Sequence, residues 1–83
     1  MVTLKVEINL EDFYNERAEL KYLDTYIQKA RDIAGEGNEV VLTGAAPIWM
    51  YLKIAHALHG KARRLIYSPA ALNEDIIIFD HSA

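Results

Sequence analysis

An 83-residue chain that is 52% hydrophobic and holds no cysteine makes one domain, at a size where a single core only narrowly outweighs chain entropy. Disulfides and thiolate metal sites are excluded, which leaves self-association as the means of adding buried surface. The formal net charge of −3 argues against affinity for long nucleic acid, which rests on neutralising many phosphates, but leaves room for a small nucleotide at one site.

The opening "VTLKVEINL" alternates, with Val2, Leu4, Val6, Ile8 and Leu10 on one face and Thr3, Lys5, Glu7 and Asn9 on the other, and reads as a half-exposed strand. It shows no basic stretch followed by an apolar run, and no segment reaches the ~18 apolar residues of a membrane span. The expectation is a soluble, cytoplasmic chain with no membrane partner. From about Asn15 to Ala34, Leu20, Leu23, Ile27, Ala30 and Ile33/Ala34 recur at helical steps, predicting an amphipathic helix that Gly35 and Gly37 stop.

"EVVLTG" (39–44) is short, β-branched and apolar throughout, so it reads as a central strand buried on both faces. Gly44 turns the chain, Pro47 suits the first helical position, and Gly60 suits the residue past the last turn. A second helix is therefore predicted over 47–59. "RRLIYSP" supplies a third strand at 63–67, ended by Pro69, and "DIIIFD" (75–80) a fourth. The link "PAALNE" is too short for a parallel crossover, so the last two strands pair as a hairpin. The predicted fold is a single α/β domain over 1–83 of order β-α-β-α-β-β, with a mixed four-stranded sheet and right-handed crossovers.

The second helix is apolar nearly all round. Ile48, Leu52, Ala55 and Leu58, with His59, make one stripe, while Trp49, Met50, Ile54 and Ala57 cover much of the remainder. Leaving a large apolar side chain in water forfeits roughly 1.5–3 kcal/mol, so this helix is expected in a homo-oligomeric contact. The alternative is that the first helix folds over it.

At the start of the same helix, a strand, a glycine turn and a helix N-terminus present unpaired N–H groups to an anionic oxygen. "TGAAP" lacks the glycine spacing and lysine of a P-loop, which excludes that class of ATPase. His56 and His59 occupy neighbouring helical positions that suit one metal or one phosphate, although a cationic ring at the end of a helix is stabilised by the dipole with no further duty. His81 follows Asp80 after the last strand. Parallel strands put Thr43, Gly44 and Ser68 at the carboxyl edge of the sheet, whereas His59, Asp80 and His81 return to the opposite edge, a strand length of ~17 Å away. One edge does the chemistry, or a site is assembled between subunits. Ser68 lacks a nucleophile-elbow sequence and reads as part of a turn. Arg63 and Arg64 hold phosphates or form a solvated strand start.

From 40 to 81 the chain resembles the small CRISPR-associated ring nucleases of type III systems, which bind and degrade cyclic oligoadenylate messengers. The resemblance is carried by "VVLTGAAPIWMYLKIAH", "LIYSP" and "IIIFDH", and the matching positions are Gly44, Pro47, Trp49, Ala55, His56, Tyr67, Pro69 and His81. The chain departs from that pattern with Ala45 and Ala46 in place of arginine and glycine, and with Ser68 and Ala70 in place of aspartate and arginine. Before residue 40 it has one strand and a longer helix where the family commonly starts with a hairpin.

The resemblance implies a dimer or tetramer, cyclic tetra-adenylate on a symmetric face, Mn²⁺ where a metal is used, and a site completed between stacked assemblies. It also allows a ferredoxin-like strand order. On this reading the N–H groups from Gly44 through Ala45 and Ala46 to Ile48, with the Thr43 and Ser68 hydroxyls, hold phosphates. His56, His59 and His81 supply acid and base for attack by a ribose 2′-hydroxyl, or hold Mn²⁺ with Asp80. A non-catalytic binder of the same ligand, and an interaction module with no nucleotide, are the alternatives.

Overall fold

A computed structural model describes residues 3–69 and 71–82; the expectations placed on Val2 and Ala70 fall outside the described residues. The strands are β1 (Lys5–Asn9), β2 (Glu39–Thr43), β3 (Arg64–Tyr67) and β4 (Ile76–Asp80), and the helices are α1 (Leu23–Ala34) and α2 (Ile48–Leu58). The sheet order is β1-β2-β3-β4. β1, β2 and β3 run parallel and β4 returns antiparallel to β3, as the short link between the last two strands requires. Strands adjacent in sequence are adjacent in the sheet, which rules out the ferredoxin-like order.

Both crossovers step the same way across the sheet, and right-handed crossovers then put both helices on one face. α1 and α2 accordingly pack together, and Arg31 Nη1 donates to the Ala57 carbonyl at 3.1 Å. The core between the layers takes Ile8, Val40, Leu42 and Leu65 from the strands, Tyr26, Ala30 and Ala34 from α1, and Met50, Ile54 and Leu58 from α2. On the helix-free face the register aligns Glu7, Val41, Ile66 and Ile77 in one row across the sheet. Val41 and Ile66 are buried there too, so β2 is buried on both faces as its composition predicts.

Two expectations about helices are corrected. The first helix was expected from about residue 15 but begins at Leu23, preceded by short 3-10 turns at Leu10–Phe13 and Leu20–Tyr22. Tyrosine hydroxyls, not backbone turns, hold the intervening segment: Tyr26 Oη accepts the Glu19 N–H at 3.1 Å, and Tyr14 Oη donates to the Ala45 carbonyl. Leu20 and Ile33, expected on the buried stripe, are exposed, and Tyr26 takes their place.

On α2 the buried stripe is Met50, Ile54 and Leu58, so only Leu58 of the expected stripe is inside. Ile48 is 78% and Leu52 65% exposed. Tyr51 fixes this rotation by donating to the Gly44 carbonyl at 2.5 Å and packing edge-on against Tyr67 at 5.0 Å between ring centres. Met50 therefore needs no second subunit to cover it. Pro47 is the N-cap, one position before the first helical residue.

Candidate functional site

At the carboxyl edge, β2 ends at Thr43 and Gly44 turns the chain with φ 99°. A Cβ there would stand 2.0 Å from Asn9 Oδ1, so only glycine fits this close approach. The turn is held from several sides. Tyr51 and Tyr14 donate to the carbonyls of Gly44 and Ala45, and Glu11 Oε1 accepts the Ala45 N–H at 3.3 Å. Pro47 offers no side-chain cap to α2. Among the described residues, nothing accepts the N–H of Ala46, Ile48 or Trp49. These donors sit at the positive end of the helix dipole.

Beside the turn lies a mainly apolar cavity of about 510 Å³, lined in part by Gly44, Ala45, Ala46, Ile48, Tyr51 and Tyr67. Four of the expected ligand residues therefore line one space. Thr43 and Ser68 do not join them: Thr43 Oγ1 donates to the Ser68 carbonyl at 2.8 Å and Ser68 N–H to the Leu42 carbonyl at 2.9 Å, tying the ends of β2 and β3 together. Sequence reasoning passed over Tyr51 as part of this edge, and had Tyr67 only from the resemblance. The available signal was two aromatic residues, one in the first turn of α2 and one closing the parallel strand that follows it. Burial, reinforced by negative charge on Tyr67, Tyr14 and Glu11, pushes the Tyr51 phenol up to about 12. It stays a neutral donor across the physiological range.

At the opposite edge, the rings of His59, Phe79 and His81 meet in a triangle, His59 standing edge-on to the other two. Ring centres are 5.1 Å apart for His59–Phe79, 4.9 Å for His59–His81 and 4.9 Å for Phe79–His81. The strand extends past Asp80, because the His81 N–H donates to the Arg63 carbonyl at 2.8 Å. Asp80 Oδ1 accepts the Ser82 N–H at 2.9 Å and the Ser82 hydroxyl, and Arg64 Nε lies 3.6 Å from Asp80 Oδ2. The Ser82 hydrogen bonds, then Arg64 and Arg63, hold the Asp80 carboxyl below its ordinary value, which makes it an anchor and a poor proton acceptor at neutral pH. Arg64 also faces Glu39 at 3.9 Å, and Arg63 donates to Thr3 Oγ1 at 3.3 Å. His56 is exposed and outside the ring triangle.

The structure thus brings His59, Asp80 and His81 to one edge, and Gly44, Ala45, Ala46 and Ile48 to the other. Among the described residues no group of three His, Asp or Glu side chains is gathered as metal ligands. His59 and His81 with an already committed Asp80 do not fit a Mn²⁺ site within one chain.

Fold and edges together define a small two-layer α/β domain whose candidate chemistry is divided between the two ends of one sheet. Residues 17–83 match the family model described as CRISPR-associated protein (Cas_csx3); the chain belongs to this CRISPR-associated family. No curated protein and no solved structure gives a match. No helix among the described residues is long and apolar enough to cross a membrane.

Proposed function

We propose that this protein binds a cyclic oligoadenylate, cyclic tetra-adenylate as the leading candidate, and cleaves it as a phosphodiesterase in type III antiviral signalling. One observation carries the reading: unpaired N–H groups at Ala46, Ile48 and Trp49 stand beside an apolar cavity with two tyrosine rings. An adenosine phosphate has this duality, with a flat base for an apolar, aromatic wall and an anion for backbone donors. A cyclic ligand presents it repeatedly, so a homodimer or tetramer would offer several such edges around one ring.

The chemistry suited to the histidine edge is transfer within the ligand. One imidazole removes the proton of a ribose 2′-hydroxyl, whose oxygen attacks phosphorus. The bond from phosphorus to the 5′-oxygen breaks, and the other imidazole protonates that oxygen, leaving a 2′,3′-cyclic phosphate and a 5′-hydroxyl. This route uses no metal.

A non-catalytic binder is the second reading. It is favoured by Ser68 and Ala70 where the resembling nucleases have aspartate and arginine. Incubating excess protein with cyclic tetra-adenylate, in EDTA and in Mn²⁺, separates the readings. Linear products ending in a 2′,3′-cyclic phosphate in EDTA support the nuclease; an intact ring that stays bound supports the binder. No shift in melting temperature with any cyclic oligoadenylate removes both and leaves an interaction module.

A further inference from the structure

A second cavity, of about 590 Å³, lies where the segment after β1 folds against the start of α1. Its lining comes from residues 13–29, outside the 40–81 stretch that carries the resemblance, and the proposed function makes no use of it. The volume suits a small molecule. Its wall is aromatic: Tyr26 meets Phe13 and Tyr22, each at 6.5 Å between ring centres. Tyr26 is only 4% exposed. Its hydroxyl accepts the Glu19 N–H at 3.1 Å, but among the described residues nothing accepts the phenolic proton. Buried donors are normally paired, so a molecule filling this cavity has an acceptor to offer there.

The charges around the cavity select its occupant. Glu16, Arg17, Glu19 and Lys29 line the same space, and among the described residues none of them is in a salt bridge. Their charges cancel, so neither a plain anion nor a plain cation is matched. The ring faces already carry the chain's own ammonium groups: Lys29 Nζ stands 6.0 Å from the centre of the Phe13 ring and Lys21 Nζ 5.2 Å from that of Tyr22. A ligand's cation is therefore left to the two carboxylates. The fitting molecule has a flat apolar ring for the tyrosines, a carboxylate for Arg17, Lys29 and the Tyr26 proton, and an ammonium for Glu16 and Glu19. A nucleotide lacks the ammonium, and its phosphate would meet both carboxylates.

We propose that the cavity framed by Phe13, Tyr22 and Tyr26 binds a small aromatic zwitterion, of which a free aromatic amino acid is the simplest. Arg17, Lys29 and the Tyr26 hydroxyl hold its carboxylate, and Glu16 and Glu19 hold its ammonium. Tyr14, which also lines this cavity, donates to the carbonyl of Ala45 in the wall of the other one, so a single tyrosine side chain stands between the two. The site is nevertheless complete within one chain and does not depend on what the carboxyl edge binds.

Calorimetric titration of the full chain with L-tryptophan tests this, and the expected result is saturable binding of one molecule per chain. Tryptamine, which lacks the carboxylate, and indole-3-propionate, which lacks the ammonium, should each bind about tenfold more weakly, the loss of one charge-assisted hydrogen bond. Two variants assign the charges. In Arg17→Gln the advantage of tryptophan over tryptamine shrinks while the affinity for tryptamine does not fall. In Glu19→Gln the advantage of tryptophan over indole-3-propionate shrinks in the same way. Neither side chain makes a salt bridge among the described residues, so both variants keep the wild-type melting temperature. Absence of saturable binding with tryptophan at ~10 mM, a concentration that detects even millimolar affinity, overturns the proposal. Equal binding of indole-3-propionate overturns it too, by making the cavity a site for aromatic anions, and tighter binding of adenosine monophosphate does so by making it a nucleotide site. No cyclic oligoadenylate enters these measurements, so they stand whether or not the phosphodiesterase reading does.

Discussion

Gly44 concentrates several constraints in one residue. Its φ of 99° and the 2.0 Å approach of Asn9 Oδ1 to a would-be Cβ mean that Gly44→Ala combines the ~1–2 kcal/mol cost of a left-handed backbone with displacement of Asn9, whose Oδ1 holds the Glu11 N–H at 3.0 Å. Urea denaturation should show a loss of at least ~2 kcal/mol; an unchanged midpoint would mean that the turn is looser than described. Tyr51 carries a second residue-scale prediction. Its phenol is raised to about 12 from the ordinary ~10, so its contribution to stability is complete below pH 10 and disappears as pH rises through 12. Between these values the unfolded chain loses the phenolic proton first. The stability of wild type relative to Tyr51→Phe should therefore fall over pH 10–12, with the difference flat below that window. At the acid end the sign is opposite. Asp80, held below its ordinary value by Ser82 and the arginines, contributes above the usual carboxylate range and loses that contribution as acid protonates it. Asp80→Asn should unfold at a less acid-dependent midpoint than wild type.

Strand and helix were legible to different degrees, and the reason lies in how each signals its buried face. Period-two alternation in β1, the apolar run of β2 and the short link before β4 each admit one arrangement, so the sheet could be written down from the residues. α2 could not be oriented in the same way, because Ile48, Trp49, Met50, Leu52 and Ile54 make several faces equally apolar. A tertiary bond from Tyr51 to the Gly44 carbonyl selects one. α1 was overextended because Leu20 and Leu23 continue its rhythm, while the segment from Tyr14 to Glu19 is tied down by tyrosine hydroxyls whose partners are distant in sequence or outside the helix. Of the site, the separation into two edges followed from strand direction alone. The cavity and its tyrosines, and the spending of the Thr43 hydroxyl on Ser68, depend on side-chain placement and were hidden. The rotation of α2 can be measured. Ile54→Ala, fully buried, should cost about 2–5 kcal/mol, whereas Leu52→Ala, 65% exposed, should stay within about 0.5 kcal/mol at low micromolar concentration. Equal losses would place Leu52 in a covered interface even in dilute protein.

At the scale of the molecule, the proposed function assigns binding to one edge and cleavage to the other, which makes the two separable by experiment. A ligand selective for the folded state stabilises it by about 2.7 kcal/mol at a hundredfold excess over Kd. For a domain of this size each kcal/mol moves the melting temperature by about 4–8 °C, so a true ligand should raise it by roughly 10–20 °C. Ala45→Glu puts a carboxylate at the exposed mouth of the cavity, where it opposes a phosphate without disturbing the core. It should remove this shift while leaving the unliganded melting temperature nearly unchanged. His81→Ala changes the other edge and should keep the shift while losing cleavage. If both variants lose the shift, the ligand spans the two edges at once, and a pocket formed by one chain alone no longer accounts for binding. If the shift survives only in Ala45→Glu, the ligand lies on the histidine side and the carboxyl-edge donors have no part in holding it.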